Sequence, residues 1–126
     1  MAEARERWSF DPVVLNLEGY HHKNAYMVRY SAAINAGRPP QDELLRRAEN
    51  RFLETLTIDP TDPSALNGLG SILMLELELD AAEFFILAAI AAARKRGLPA
   101  YEAAESDLEV VRYYRSVSPT SSQRHP

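Results

Sequence analysis

The sequence predicts an all-α fold of about five helices in one domain, and three observations support this prediction. Apolar residues recur at helical spacing through most of the chain. Proline and glycine stand where each predicted helix begins or ends. Finally, Ala48 and Phe52 lie four residues apart, and Ala82 and Ile86 repeat that spacing 34 residues later. Since repeated helix pairs have a fixed period, this offset indicates two related helical hairpins.

Composition restricts the class of protein. With 126 residues, 46% of them hydrophobic, the chain is suited to one compact domain with a modest core. Its 14 basic and 18 acidic residues give a net charge of -4 and form no long basic run, which disfavours nucleic acid as a partner. The chain has no cysteine, so a disulfide framework and thiolate chemistry are excluded.

The two ends of the chain do not resemble targeting signals or folded structure. Residues 1–10 carry mixed charges without the apolar core of a secretory signal, so we expect a flexible N-terminus and a cytoplasmic protein. Residues 116–126 are polar and rich in Ser and Pro, which predicts a disordered tail. The most apolar stretch, 72–93, contains four acidic residues and is too charged to span a membrane. The residues between these two ends, 11–115, are predicted to form a single domain.

The N-terminal part of this domain is predicted as a short helical segment followed by one full helix. Asp11 followed by Pro12 is a helix-start signal, and a short helix to Leu17 follows, with a break or kink expected at Gly19. A second helix is predicted over 22–36. The residues expected on its apolar stripe are Met27, Tyr30 and Ile34.

The rest of the domain is predicted as four helices, over 42–56, 63–76, 79–96 and 99–115. Pro60 and Pro63 separate the first two of these, because proline lacks the N–H that an inner helical turn needs. Gly97 can adopt the left-handed conformation that ends a helix. One face of the last helix carries Tyr101, Ala104, Leu108, Val111 and Tyr114.

A family resemblance rests on the pattern Leu-x-x-Leu-Gly-x-x-Leu followed by Ala-x-x-x-Ile. Its residues are Leu66, Leu69, Gly70, Leu73, Ala82 and Ile86. The pattern resembles the signature of small bacterial-type tetratricopeptide repeat proteins, with aliphatic residues in place of the usual aromatics. The preceding unit keeps Ala48, Phe52 and Pro60. The resemblance implies an antiparallel helix-turn-helix array, or α-solenoid, with its best repeat at 63–96, a partial repeat at 22–62 and a capping helix at 99–115.

The resemblance also implies a function, since such arrays usually bind other proteins. We expect a noncatalytic module that holds a protein or peptide partner in the groove of the array, at Asn67, Ser71 and Met74, with Leu75 at its edge. An Asn side chain can bond a peptide backbone, although Asn67 could instead cap or bridge locally. The family's carboxylate-binding version needs Lys and Arg on neighbouring groove helices. The last helix carries Glu102, Glu105 and Glu109 instead, which disfavours a ligand with a free carboxylate.

A second candidate surface lies on the helix predicted over 79–96. Positions that are commonly polar in the family hold Phe84, Leu87 and Ala88 here. Left uncovered, they form an interface for a homodimer or a partner. Covered by the C-terminal helix or by the segment with Trp8 and Phe10, they belong to the core. The sequence leaves both alternatives open.

Two other functions remain as alternatives. One is a small secretion-type chaperone, because such proteins are acidic, helical and built on these repeats. The other is a metal protein or enzyme that uses Glu18, His21 and His22. The predicted break at Gly19 and the lack of a further ligand favour solvated or capping His residues instead. Without a phosphate loop or nucleophile motif, the sequence predicts no catalytic residue, metal or cofactor.

Overall fold

The computed structural model describes residues 11–117, and over that range it contains six α-helices and no strand. The all-α class is therefore confirmed. The helices are α1 (Pro12–Arg29), α2 (Ser31–Asn35), α3 (Glu43–Ile58), α4 (Pro63–Leu75), α5 (Leu79–Lys95) and α6 (Glu102–Val117). Among them, none is long and apolar enough to cross a membrane. The expectations for residues 1–10, Trp8 and Phe10 included, and for 118–126 lie outside the described residues.

Aspartate side chains cap the N-termini of three of the helices. Asp11 accepts a hydrogen bond from the backbone N–H of Val13, and Asp42 accepts one from that of Leu44. Asp62 likewise caps α4, which starts with a proline, as α1 does. These caps satisfy donors that the first helical turn leaves unpaired. The start predicted at Asp11 is confirmed.

Helix α1 is continuous through Gly19, so the predicted break at this glycine is wrong. A Cβ atom on Gly19 would lie 2.7 Å from the ring of Phe52, which occupies the space that a larger residue would fill. Burial of this ring outweighs the low helix propensity of glycine. The helix predicted over 22–36 also differs, since α1 ends at Arg29 and a single turn, α2, follows. Tyr26 is buried on α1, while Met27 is exposed.

The helices pack as two hairpins and one further helix. α1 packs mainly on α3, α4 on α5, and α6 on α5, with lesser contacts of α4 to α1, α3 and α6. One cluster of buried residues joins α1, α3 and α4, around Tyr26, Phe52 and Ile72. A second cluster joins α4, α5 and α6, around Ile86 and Val111. Leu56 and Phe85 contact both clusters, so the two clusters form a continuous interior.

The crossing of α4 and α5 depends on small residues, as the repeat pattern predicts. A Cβ atom on Gly70 would lie 2.7 Å from Cγ1 of Ile86 and 3.2 Å from the carbonyl oxygen of Ala82. Any larger residue at position 70 would push the two helices apart. The other residues of the pattern that are buried are Ala48, Phe52, Leu66, Leu69, Ala82 and Ile86. Leu73 is half-buried, and Pro60 is exposed in the turn after α3.

The last helix is shifted from its predicted range. It begins at Glu102 rather than Pro99 and runs to Val117, two residues into the segment expected to be a disordered tail. Ala104 and Val111 are buried on its inner face, but Tyr114 is exposed. On the α5 side, Arg112 and Arg115 both pair with Glu83.

Candidate functional site

Helices α1, α4 and α6 bring five polar side chains together in what we call the polar cluster. Its members are Tyr20 and Lys23 from α1, Asn67 and Ser71 from α4, and Asp107 from α6. Nζ of Lys23 donates a hydrogen bond to Oγ of Ser71 at 3.0 Å. The Tyr20 hydroxyl donates one to the carbonyl oxygen of Ser64 at 2.7 Å.

Helical spacing places these side chains on one face of each helix. Tyr20 and Lys23 are three residues apart on α1, and Nζ of Lys23 lies 5.0 Å from the centre of the Tyr20 ring. Asn67 and Ser71 are four apart on α4, so both side chains point the same way. The continuity of α1 through Gly19 is therefore what directs Lys23 toward α4.

Burial sets the electrostatics of the polar cluster. It lowers the pKa of Lys23, an effect that the charge of Asp107 partly offsets. Burial likewise raises the pKa of Asp107, which the nearby charge of Lys23 and a hydrogen bond with Asn67 lower in turn. Both shifts mean that the folded chain solvates these charges less well than water does. Their nearest charged atoms are more than 4 Å apart, since the pair forms no salt bridge in the described part of the chain.

The amide of Asn67 forms the floor of the polar cluster. Its side chain is only 3% exposed, and its Oδ1 atom receives no hydrogen bond from any described residue. A buried acceptor without a donor is costly, by about 1–3 kcal/mol, so nearly all such groups in proteins have a partner. Three other buried side-chain atoms of the described residues lack a hydrogen-bond partner in the same way, and Oδ1 of Asn67 is the one that lies in the polar cluster beside the half-buried Lys23 and Asp107.

A tyrosine pair closes one end of the polar cluster. Tyr101, just before α6, neighbours Tyr20 and Ser64, and both residues influence the pKa of its hydroxyl. Burial is the main cause that raises the pKa of each tyrosine, so both hydroxyls stay neutral donors near pH 7. These hydroxyls continue the polar surface along α4 toward its N-terminus.

The predicted groove residues lie in different environments in the structure. Asn67 and Ser71 lie in the polar cluster, but both are almost fully buried rather than lining an open groove. Met74 is half-buried against the second core cluster. Leu75, expected at the groove edge, is buried in the first core cluster and has little surface to offer a ligand. The reason is its position on α4, which turns its side chain toward α1 and α3.

Sequence reasoning missed three members of the polar cluster, Tyr20, Lys23 and Asp107. Lys23 was missed because the apolar stripe of the predicted helix was assigned to Met27, Tyr30 and Ile34, whereas the structure buries Tyr26 instead of Met27. No sequence signal distinguished Asp107 from the other acidic residues of the last helix. One signal could have found Lys23, since it is one of only two lysines in a chain that otherwise uses arginine.

The second candidate surface is open in the described part of the chain. Phe84 is 67% exposed and Leu87 42% exposed, while Ala88 is half-buried. Helix α6 leaves Phe84 and Leu87 exposed, so it does not provide the intramolecular cover that the sequence left open. The alternative cover by Trp8 and Phe10 lies outside the described residues.

The residues considered for a metal lie together on α1 but interact with other groups. Oε1 of Glu18 is 3.6 Å from Nε of Arg51 on α3, and the rings of His21 and His22 are in edge contact. Burial is the main cause that lowers the pKa of His22. Among residues 11–117, no group of three or more His, Cys, Asp or Glu is placed to hold a metal ion.

A pocket of about 600 Å³ lies away from the polar cluster, between α3, the end of α4 and the connection before α3. Four acidic residues line it, Asp42, Glu43, Glu49 and Glu76. Burial and then the charges of Glu49 and Glu78 raise the pKa of Glu76. The Tyr26 hydroxyl in this pocket is already bonded to the carbonyl oxygen of Pro40.

Comparison of the chain with models of known families, with curated proteins and with solved structures gives no match. Function is therefore inferred from the geometry of the polar cluster and from the helix pairing.

Proposed function

We propose that this chain is a noncatalytic interaction module, a tetratricopeptide-like array that binds an extended peptide segment of a partner protein at the polar cluster. The helix pairing supports the array: two hairpins follow one another, and α6 packs on the open side of the second. In such an array each unit contacts only its neighbours, and a terminal helix caps the last one.

The observation that carries the proposal is the buried, unbonded Oδ1 of Asn67 in a cluster that also holds the charged Lys23 and Asp107. A peptide main chain presents N–H donors and carbonyl acceptors in alternation. An N–H of the ligand would satisfy Asn67, while a carbonyl oxygen would accept from Lys23. Asp107 would accept a second N–H or a basic side chain. Each of these bonds improves the solvation of a group that burial now disfavours.

Peptide selection tests the proposal without knowledge of the natural partner. A displayed library of random peptides is selected on the purified protein, and the affinities of the selected peptides are measured by calorimetry. We expect Lys23→Met and Asp107→Asn each to weaken binding by about tenfold, as loss of a charge-assisted hydrogen bond should. Circular dichroism checks that each variant is folded.

The matched control is Lys95→Met, because Lys95 is the other lysine of the chain and is exposed at the end of α5. This variant should bind the selected peptides with unchanged affinity. Selected peptides that bind Lys23→Met and Asp107→Asn as tightly as the original chain would contradict the proposal, and so would a selection that yields no binder.

A further inference from the structure

The outer face of α5 carries a stripe of residues that no other described helix covers. We define the outer face as Asp80, Phe84, Leu87, Ala91 and Lys95, all of which are exposed. Their spacings of four, three, four and four residues keep them on one side of the helix. Such alternation is typical of the seam along which two helices pack.

Exposure of these apolar residues has a cost that association would remove. Phe84 and Leu87 are adjacent on the outer face, and the smaller Ala88 and Ala91 lie beside them. Removing a Phe or Leu side chain from water favours association in proportion to the apolar area that is buried. The small alanines leave room for another helix to approach closely.

From the order of residues along this face, we infer that α5 pairs with α5 of a second copy of the chain, antiparallel, about a two-fold axis between Leu87 and Ala88. In this arrangement Phe84 of one copy lies opposite Ala91 of the other, so a large side chain meets a small one. Leu87 lies opposite Ala88 by the same symmetry. The outer face is thus complementary to itself in size.

The charges at the two ends of the outer face are also complementary. The same axis places Asp80 of one copy opposite Lys95 of the other, twice in the dimer. Lys95 makes no ion pair within the described part of the chain, and Asp80 stays 72% exposed although its Oδ1 pairs with Arg115. A parallel pair would instead set Asp80 against Asp80 and Phe84 against Phe84, which disfavours that orientation.

The contact is confined to one helix of each copy, so it lies at the small end of protein interfaces, below about 1,200 Å² in total. We therefore expect a weak dimer with a dissociation constant on the order of 10 μM. This self-association goes beyond the proposed peptide binding, because the outer face of α5 shares no residue with the polar cluster.

Solution mass is the first measurement. Sedimentation equilibrium of the full chain should show a monomer that becomes a dimer as concentration rises through about 10 μM. Leu87→Glu should weaken the dimer by at least tenfold, since it buries two like charges near the axis. The control is Val28→Glu on α1, where the original side chain is 81% exposed. This variant should dimerise as the original chain does.

Charge exchange tests the antiparallel orientation. Lys95→Glu alone and Asp80→Lys alone should each weaken self-association, because each creates two like-charge contacts in the dimer. An equimolar mixture of the two variants should dimerise again, since every contact then joins opposite charges. Mixing without recovery would rule out the proposed orientation. The mixture also keeps the test independent of any change that Asp80→Lys makes to its contact with Arg115.

The absence of cysteine from the sequence allows a direct test of the register. Ala88→Cys places two thiols beside the axis, and oxidation should link the copies. Ala91→Cys places them about 10 Å apart along the helix, too far for a disulfide, so it should not self-link. A mixture of Ala91→Cys with Phe84→Cys should link. Linkage of Ala91→Cys to itself in preference to Ala88→Cys would contradict the register.

Two outcomes would overturn the inference as a whole. One is a chain that stays monomeric up to about 1 mM, a hundredfold above the expected dissociation constant. The other is a monomer that unfolds on Leu87→Glu, which would show that Leu87 belongs to the core of the single chain. Peptide binding is scored separately, since Leu87→Glu should keep it and Lys23→Met should keep the dimer.

Discussion

In the first hairpin, α1 and α3 pack around the ring of Phe52, whereas in the second, α4 and α5 pack around glycine and alanine. The Phe52 ring occupies recesses at two glycines, Gly19 on α1 and Gly68 on α4. A Cβ atom would lie 2.7 Å from the ring at Gly19 and 2.4 Å from it at Gly68. The edge of the Tyr20 ring also contacts this ring, with centroids 4.8 Å apart. One side chain therefore joins three helices.

In the second hairpin it is the backbones that approach each other. Position 70 lies against both the Ile86 side chain and the backbone of α5. The residues of α5 that are buried and small are Ala82, Ala89, Ala92 and Ala93. Small residues on both helices let the axes come close without a large side chain between them. Close packing is thus reached through a large side chain in one hairpin and through the absence of one in the other.

The segments that connect the two helices of each hairpin also differ. The first spans 30–42 and is fixed by side chains: Tyr26 donates to the carbonyl oxygen of Pro40, and Tyr30 donates to Asp42. The second is a three-residue turn in which Leu77 has a φ of 63°. The first hairpin therefore depends on residues far apart in sequence, while neighbouring residues define the second.

Loss of the Phe52 ring should have the largest effect on this comparison. We expect Phe52→Ala to lower the free energy of unfolding by about 3–5 kcal/mol, because it leaves a cavity between three helices. Urea denaturation followed by circular dichroism measures the change. Val28→Ala on the exposed side of α1 is the control and should change the stability by less than about 0.5 kcal/mol. A cost at Phe52 as small as that of the control would show that the ring does not join the helices.

Glycine substitutions separate the two kinds of packing. Gly68→Ala and Gly70→Ala should each cost about 1–3 kcal/mol through overpacking, in spite of the better helix propensity of alanine. Because a side chain causes the first clash, Phe52→Leu should relieve part of the cost of Gly68→Ala. Ile86→Val should not relieve Gly70→Ala, since Cγ1 of the side chain and the backbone of α5 remain in place. Double-mutant cycles in urea measure both couplings, and equal relief in both would contradict the distinction.

The turn of the second hairpin should be improved by glycine. A left-handed conformation costs a non-glycine residue about 1–2 kcal/mol, and added freedom in the unfolded chain offsets part of the gain. We therefore expect Leu77→Gly to raise the free energy of unfolding by about 0.5–1 kcal/mol. Leu98→Gly is the control, at an exposed leucine outside the left-handed region, and it should lower the stability. Thermal denaturation compares the two variants, and destabilisation by Leu77→Gly would contradict the prediction.

The smallest effect should come from the ion pair that links the ends of α3 and α5. Nη2 of Arg96 lies 2.9 Å from Oδ2 of Asp59, and this hydrogen bond is the main cause that lowers the pKa of Asp59. A lowered pKa in the folded state stabilises the fold above the unfolded pKa of about 3.9, and the contribution disappears as pH falls through the folded pKa.

Asp59→Asn should therefore reduce the stability by at most about 1 kcal/mol at pH 7, and by progressively less as pH falls below about 3.9. Urea denaturation at several pH values measures the difference. Arg96→Gln should give the same pH dependence, since it removes the other partner of the pair. A difference between the original chain and Asp59→Asn that persists undiminished at pH 2 would contradict the electrostatic origin.

The helices whose bounds depend on local signals were predicted well, and the helix that depends on a distant residue was not. The bounds of α3, α4 and α5 were predicted within two residues, because aspartate caps, proline and apolar spacing are local signals. The requirement for a small residue at position 70 was also predicted, from the repeat pattern. The continuity of α1 was not, because glycine normally weakens a helix and only the Phe52 ring, 33 residues away in sequence, explains its place.

The candidate site was predicted in part for a related reason. Asn67 and Ser71 were chosen from the face of a single helix, which periodicity defines. Lys23 and Asp107 reach them from other helices, and spacing within one helix says nothing of such neighbours. Burial also reversed one expectation, since the amide of Asn67 lies in the floor of the polar cluster with one acceptor unbonded rather than on an open surface.

By itself the sequence determined the all-α class, the start and end of α3, α4 and α5, and the small residues where α4 crosses α5, because these depend on interactions within a few turns of chain. Only the tertiary structure decided that α1 continues past Gly19, that Leu75 belongs to the core and that Phe84 remains exposed. It alone brought Lys23, Asn67 and Asp107 together. Contacts between distant segments depend on how whole helices pack, and no local pattern specifies that packing.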